Sequence, residues 1–177
     1  MKDSVPRSYA AFHSSPSLGE GVYVAPSADL VGDVRVGRES SIWYQCVLRA
    51  DINRIEIGER TNIQDGTVIH VADQYGTRVG NWVTVGHRAI LHACTVEDEA
   101  LIGMGAIVMD GAVIGARSIV GAAALVTAGM EVPPGSLVIG APARILRSLA
   151  KDEQERVRVW AERYVATTRE YLKERRK

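Results

Sequence analysis

Phenylalanine occurs once in 177 residues, cysteine twice, and neither sign of charge is in excess. With aromatics at 6% of the chain, a core has to be built from aliphatic side chains. Cys46 and Cys94 lie far apart and form no CxxC pair, so reduced thiols in a cytoplasmic setting are the expectation. Lysine plus arginine number 21, as do aspartate plus glutamate, and a net charge of zero argues against nucleic-acid binding, which needs a basic surface. No run of eighteen apolar residues occurs anywhere, so no membrane span is expected. The opening MKDSVPRSYAAFHSSPSLGE holds no apolar stretch of the kind a signal peptide uses. The length suits one domain with a continuous core and a short appendage.

What the sequence does have is a period of six. An aliphatic column runs Val24, Leu30, Val36, Ile42, Leu48, then Ile57, Ile63, Ile69, then Val79, Val85, Leu91, and resumes at Val96 to continue every sixth residue to Val138. Glycine often follows the aliphatic, as at Gly37, Gly58, Gly80, Gly86, Gly103, Gly115 and Gly121, and a small residue such as Ala89, Ala100 or Ala106 comes four positions after it. Six fits neither the 3.6-residue helix nor a simple two-residue alternation. It fits a parallel β-helix in which each repeat gives one short strand and one corner, and three repeats close a triangular coil. Coils stacked at strand spacing, roughly 4.8 Å, bury the aliphatic column.

The period breaks three times: a step of nine after Leu48, of ten after Ile69, and of five after Leu91. The insertions predict loops leaving the coil near residues 49–56 and 71–78, and the shortening predicts a tightened corner. Loops on a rigid scaffold are where sites tend to sit. Residues 1–147 are read as an N-terminal segment and β-helix, and 148–177 as a C-terminal helix with its apolar face at Val157, Trp160, Tyr164 and Tyr171.

Three of the four histidines, His70, His87 and His92, fall in the middle of the chain, and the breaks lie near them. His70 and His92 directly follow an inward aliphatic, so both point outward. Counting faces puts them on the same side, one coil apart and roughly 5 Å from each other, close enough to share a metal. His87 falls near a corner on a different face, out of reach of that ion within one chain. A threefold trimer solves this by setting one subunit's corner against the next one's face, giving three neutral imidazoles and an open position. The alternative is a set of surface histidines with no ligand.

The segments VGDVRVGRESSIWYQCVLRAD, IEIGERTNIQDGTVIH, VTVGHRAILHACTV, LIGMGA and VIGAPAR resemble the γ-class carbonic anhydrases and their ferripyochelin-binding-like relatives, from about Gly21 to Tyr171. Hexapeptide repeats alone are shared with many acyltransferases; the RAD, NIQDG, IH and GHxxxLH set is specific. The resemblance implies a left-handed β-helix, an all-β fold with a C-terminal α-helix, and a homotrimer. It implies zinc held by His70, His87 and His92, with iron(II) and cobalt(II) also compatible with imidazoles, and hydration of carbon dioxide to bicarbonate as the activity. Arg49, Asp51, Asn62, Gln64 and Asp65 match residues placed around the metal. Gln64 would orient the attacking water, and Arg49 and Asp51 would pair across subunits or form an ordinary surface ion pair. Tyr164 matches a helix tyrosine close to the site, or is a packing residue. The chain departs from efficient members by carrying Ile52-Asn53 where they have glutamates, and a short 71–78 insertion whose one acid is Asp73. Three functions follow as candidates: a γ-type carbonic anhydrase, possessing low activity for want of a proton exit; a metal-binding protein without hydration activity or acting on thioesters; and a CoA-dependent acyltransferase.

Overall fold

A computed structural model describes residues 10–174; the first nine and last three residues, parts of the expected N- and C-terminal segments, lie outside the described residues. The hexapeptides build a left-handed parallel β-helix of about seven turns. Three faces repeat. The first carries Tyr23–Val24, Ser41–Ile42, Asn62–Ile63, Thr84–Val85, Leu101–Ile102, Ile119–Val120 and Ser136–Gly140. The second carries the starts of Asp29–Val36 and Val47–Ile57, then Val68–His70, Ile90–His92, Ile107–Val108 and Leu125–Val126; the third carries Ser17–Leu18, the ends of Asp29–Val36 and Val47–Ile57, then Thr77–Val79, Thr95–Val96, Val113–Ile114 and Glu131–Val132.

The aliphatic column points inward on all three faces, and from Val36 to Val138 it is buried, as are the small residues four positions on, such as Cys46, Ala89 and Ala106. The chain commonly turns a corner at the third residue after the aliphatic, with a positive φ at Gln45, Arg60, Trp82 and Arg88 as well as at glycines; at the five-residue step the turn comes one residue earlier, at Ala93, which is the tightened corner expected there. Glycine after the aliphatic has a separate cause: a Cβ on Gly58 would lie 2.5 Å from the Gly80 carbonyl of the next coil.

The expected loop at 49–56 does not leave the coil. Val47–Ile57 is one eleven-residue strand that rounds a corner and pairs on two faces. The extra residues form a bulge: Gly32 pairs with Ala50 and Val34 with Ile55, leaving Asp51–Arg54 opposite Asp33. They stay in strand because Ile55 must return to the core, where it is fully buried. The second insertion does leave the strands, between Val68–His70 and Thr77–Val79. After Gly140 the chain reverses, and Ala143–Ser148 pairs antiparallel with Ser136–Gly140.

A helix, Lys151–Glu174, then runs back along the first face. Its buried row is Val157, Ala161, Val165 and Thr168; of the face expected, Val157 is buried and Tyr164 half-buried, whereas Trp160 and Tyr171 are exposed. Small side chains let the helix lie close to the sheet, and the aromatics flank that contact. Tyr164 and Tyr171 meet Trp43 edge-on, with ring centroids 5.4 and 5.0 Å away.

Candidate metal centre

Arg49, His70 and His92 are consecutive rungs of the second face, paired in register across three coils. All three directly follow an inward aliphatic and so project outward at its edge. His70 Nδ1 lies 3.1 Å from His92 Nε2. The opposite nitrogen of each ring faces a carboxylate: His70 Nε2 is 3.2 Å from Asp51 Oδ1, and His92 Nδ1 is 2.5 Å from Asp110 Oδ1. Thr77 Oγ1 donates to the His70 carbonyl at 2.6 Å, tying that rung to the coil beyond the inserted loop. Arg49 Nη1 pairs with Asp51 Oδ2. The pair expected to cross subunits closes within one chain, because residues two apart on a strand share a side.

Burial pushes the His70 imidazole below its ordinary value, with Arg49 and His92 adding to the effect against Asp51. At Asp51 burial works upward, but Arg49 and His70 outweigh it and hold the carboxyl below the usual carboxylate range. Neutral His70 beside an ionised Asp51 is the state that donates Nε2–H and leaves a lone pair on Nδ1.

His87, Gln64, Asn62, Asp65 and Tyr164 gather elsewhere, on the first face and under the helix. Asp65 and His87 each stand two residues after an inward aliphatic, one coil apart, and His87 Nδ1 is 2.9 Å from Asp65 Oδ2. Asp65 Oδ1 also accepts the Tyr44 amide at 3.2 Å. Gln64 Nε2 donates to Asn62 Oδ1, and Asn62 Nδ2 to Thr84 Oγ1, each at 3.0 Å. With its amide nitrogen engaged, Gln64 keeps its oxygen to accept. A cavity of about 460 Å³ is lined by Gln64, His87 and Tyr164 at one end and by Met104 and Trp160 beyond. Burial, with Asp65 assisting, raises the Tyr164 phenol.

The expected site residues thus form two groups on two edges of the prism, and Gln64 belongs with His87 rather than with His70. Among the described residues no three His, Cys, Asp or Glu side chains of one chain are arranged to hold an ion. Two donors do fit. Zinc–nitrogen bonds of about 2.0–2.1 Å at a tetrahedral angle hold their nitrogens about 3.3 Å apart, close to the 3.1 Å between His70 and His92.

No family model matches the chain. It is 49% identical over 148 residues to a Methanocaldococcus jannaschii protein named "Probable carbonic anhydrase", covering 84% of this chain and 93% of that one. The chain belongs to the γ-class carbonic anhydrase family. A further relative, the mitochondrial gamma carbonic anhydrase 2 of Arabidopsis thaliana, is 42% identical over 160 residues, covering 87% of this chain and 58% of its own length; the chain spans little more than half of the Arabidopsis relatives. Among solved structures, a hexapeptide transferase family protein from Anaplasma phagocytophilum superposes with a TM-score of 0.85 at 45% identity, covering 88% of this chain and 92% of that one.

Within this γ-class chain, the departures around the site are visible in the fold. Ile52 and Asn53 sit in the strand bulge, and Asn53 Nδ2 donates to the Ala72 carbonyl at 3.0 Å, so this position braces the 71–76 loop. Asp110 is the site residue the sequence reading passed over. Its signal was present: it lies eighteen residues after His92, on the next coil and one position past the residue in register with it. The two cysteines take no part, since both are buried and burial pushes Cys46 up to about 11 and Cys94 up to about 12.

Proposed function

We propose that this protein is a γ-type carbonic anhydrase that hydrates carbon dioxide to bicarbonate, at a divalent metal held by His70 and His92 of one subunit and a neighbour's copy of His87 in a homotrimer. One observation carries the reading. Two imidazole nitrogens stand 3.1 Å apart while the opposite nitrogen of each is committed to a carboxylate. Two lone pairs so placed repel each other unless a metal ion or a proton lies between them, and a metal ion satisfies both nitrogens while leaving each carboxylate its N–H.

The assembly follows from what flanks the second face. Its outward column is Asp29 and then, all apolar, Val47, Val68, Ile90, Ile107 and Leu125, whereas the third face presents Arg35, Glu56, Arg78, Thr95, Val113 and Glu131 at the same positions. Val68 and Ile90 are about two-fifths exposed. An apolar stripe in the middle of a strand face suits burial against copies of itself. The His70–His92 edge bounds that face on one side and the His87 edge on the other. A threefold axis facing the stripe brings unlike edges together and completes three sites.

A divalent ion held by His70, His92 and a neighbour's copy of His87 would supply Lewis acidity, lowering the pKa of water to about 7. The chain's own groups do the rest. Neutral imidazoles bind, and their carboxylates fix which nitrogen does so. The Gln64 oxygen accepts from the attacking water and aims it, and the apolar wall at Met104 and Trp160 gives carbon dioxide a non-polar approach. Hydration releases one proton, which must leave the site; Asp73 is the one acid in the 71–76 loop.

The relatives named as carbonic anhydrases favour this reading, and the transferase name of the Anaplasma structure favours the CoA-dependent alternative. Metal analysis combined with a stopped-flow hydration assay separates them. The proposal expects about one metal per chain and metal-dependent hydration. Acyl transfer from acetyl-CoA by metal-free protein would overturn it.

A further inference from the structure

We infer that Asp110 is a positioning residue for His92, selecting Nε2 as the metal-facing nitrogen and holding the ring on its neighbour. The inference rests on the proposed metal centre for its role, but its geometry stands in the single chain. Asp110 Oδ1 lies 2.5 Å from His92 Nδ1, the shortest of the three carboxylate–histidine contacts, against 3.2 Å for Asp51–His70 and 2.9 Å for Asp65–His87.

The carboxylate is aimed by its backbone. Asp110 occupies the corner of the coil next to His92, two residues after the inward Val108. The Asp110 carbonyl accepts the Gly129 amide from the coil beyond at 2.8 Å, and the amide of the following Gly111 donates to the Ala93 carbonyl at 2.8 Å, directly after His92. The corner that carries Asp110 is therefore pinned to coils on both sides, and its side chain reaches back across one of them to the imidazole. With a carboxylate fixed on Nδ1, the neutral ring carries its proton there and presents a lone pair at Nε2. Without it, His92 has two tautomers to choose from and a ring free to turn about its last torsion.

No other cation offers Asp110 a competing role. Among the described residues its side chain makes no ion pair except that with His92, although like Asp51 it sits at the edge of the second face, where Arg49 is already engaged by Asp51. A carboxylate placed only for solubility would have no reason to be directed at an imidazole by a doubly pinned corner. A carboxylate that supports a metal-ligating histidine typically contributes 10- to 100-fold in affinity.

The test uses the full-length protein and two readouts that do not depend on turnover. Nitrogen-15 shifts of the histidines in metal-stripped protein, near pH 8, report the His92 tautomer. Competition titration with cobalt(II), followed by its visible d–d bands, reports affinity and geometry. Wild type should show His92 protonated at Nδ1. Asp110→Ala should give a mixture of tautomers, bind cobalt(II) about 10- to 100-fold more weakly and shift the d–d bands. Asp110→Asn, whose amide oxygen still accepts from Nδ1–H, should recover part of the loss. An unchanged tautomer, or affinity within threefold of wild type in Asp110→Ala, overturns the assignment. If wild type binds no cobalt(II), the proposed function fails while the tautomer comparison still decides the role of Asp110.

Discussion

At the scale of single residues, Asp51, Asp65 and Asp110 each face one histidine, so the three imidazoles enter any coordination with their free nitrogen already chosen. His92→Ala removes one donor of the stacked pair and should abolish metal retention, measured as bound metal after gel filtration. Gln64→Ala should keep the metal and lower the hydration rate per metal by about 10- to 100-fold. That is the range for losing one hydrogen bond to a charged group, about 1.5–3 kcal/mol. The histidines were legible because each falls at a fixed offset from an aliphatic whose direction the period sets. Asp110 was not, because its partner lies eighteen residues away and only closing the coil brings the two together. The grouping of Gln64 with His87 was equally hidden: residues on one coil can stand on different faces, and the helix that covers one of them is set by packing.

At the scale of elements, the period of six gave the buried column from Val36 to Val138, since each aliphatic either points inward or leaves a hole. It gave less where the period broke. The surplus residues after Leu48 read as a loop, yet the backbone stays paired on both sides of a bulge because Ile55 has a core position to fill. The helix face was read from its large aromatics, whereas close packing on a sheet selects Ala161, Val165 and Thr168. The start of that helix has its own pH dependence. Glu153 accepts the Ala150 amide at 2.9 Å and two bonds from Arg147, and the Arg147 guanidinium, followed by the Ala150 amide, holds its carboxyl down at about 2, against an ordinary 4.5. The folded value is the lower one, so the tether is fully present above pH 4.5 and is lost as the pH falls toward 2. Helix content followed by circular dichroism should respond to acid in that window, and Glu153→Gln should lessen the response.

At the scale of the whole molecule, the proposed site, divided between unlike edges, would make function depend on assembly. Mixing His70→Ala and His87→Ala subunits should restore some metal binding, because one kind of mixed interface joins an intact His70–His92 pair to an intact His87. Neither variant alone should retain metal, and a mixture that stays empty would place all three ligands in one chain. Proton release belongs to this scale too, since in the proposed site the proton would have to travel from a subunit boundary to bulk. With Ile52-Asn53 in the bulge and Asp73 alone in the loop, the hydration rate should rise with buffer concentration, buffer bases taking the proton that the chain has few groups to carry.

The antiparallel return of Ala143–Ser148 has a consequence of another kind. A stack of parallel coils has no natural end, since each finished turn offers the next chain a ready template and an apolar floor. Here the last turn meets a strand running the opposite way, and Ala143 is buried against the end of the aliphatic column. A second molecule arriving at that end finds neither the strand direction nor the open floor it would need to continue the coil. The hairpin is therefore a stop against filament growth, and a chain cut after Val138 should polymerise where the intact one does not.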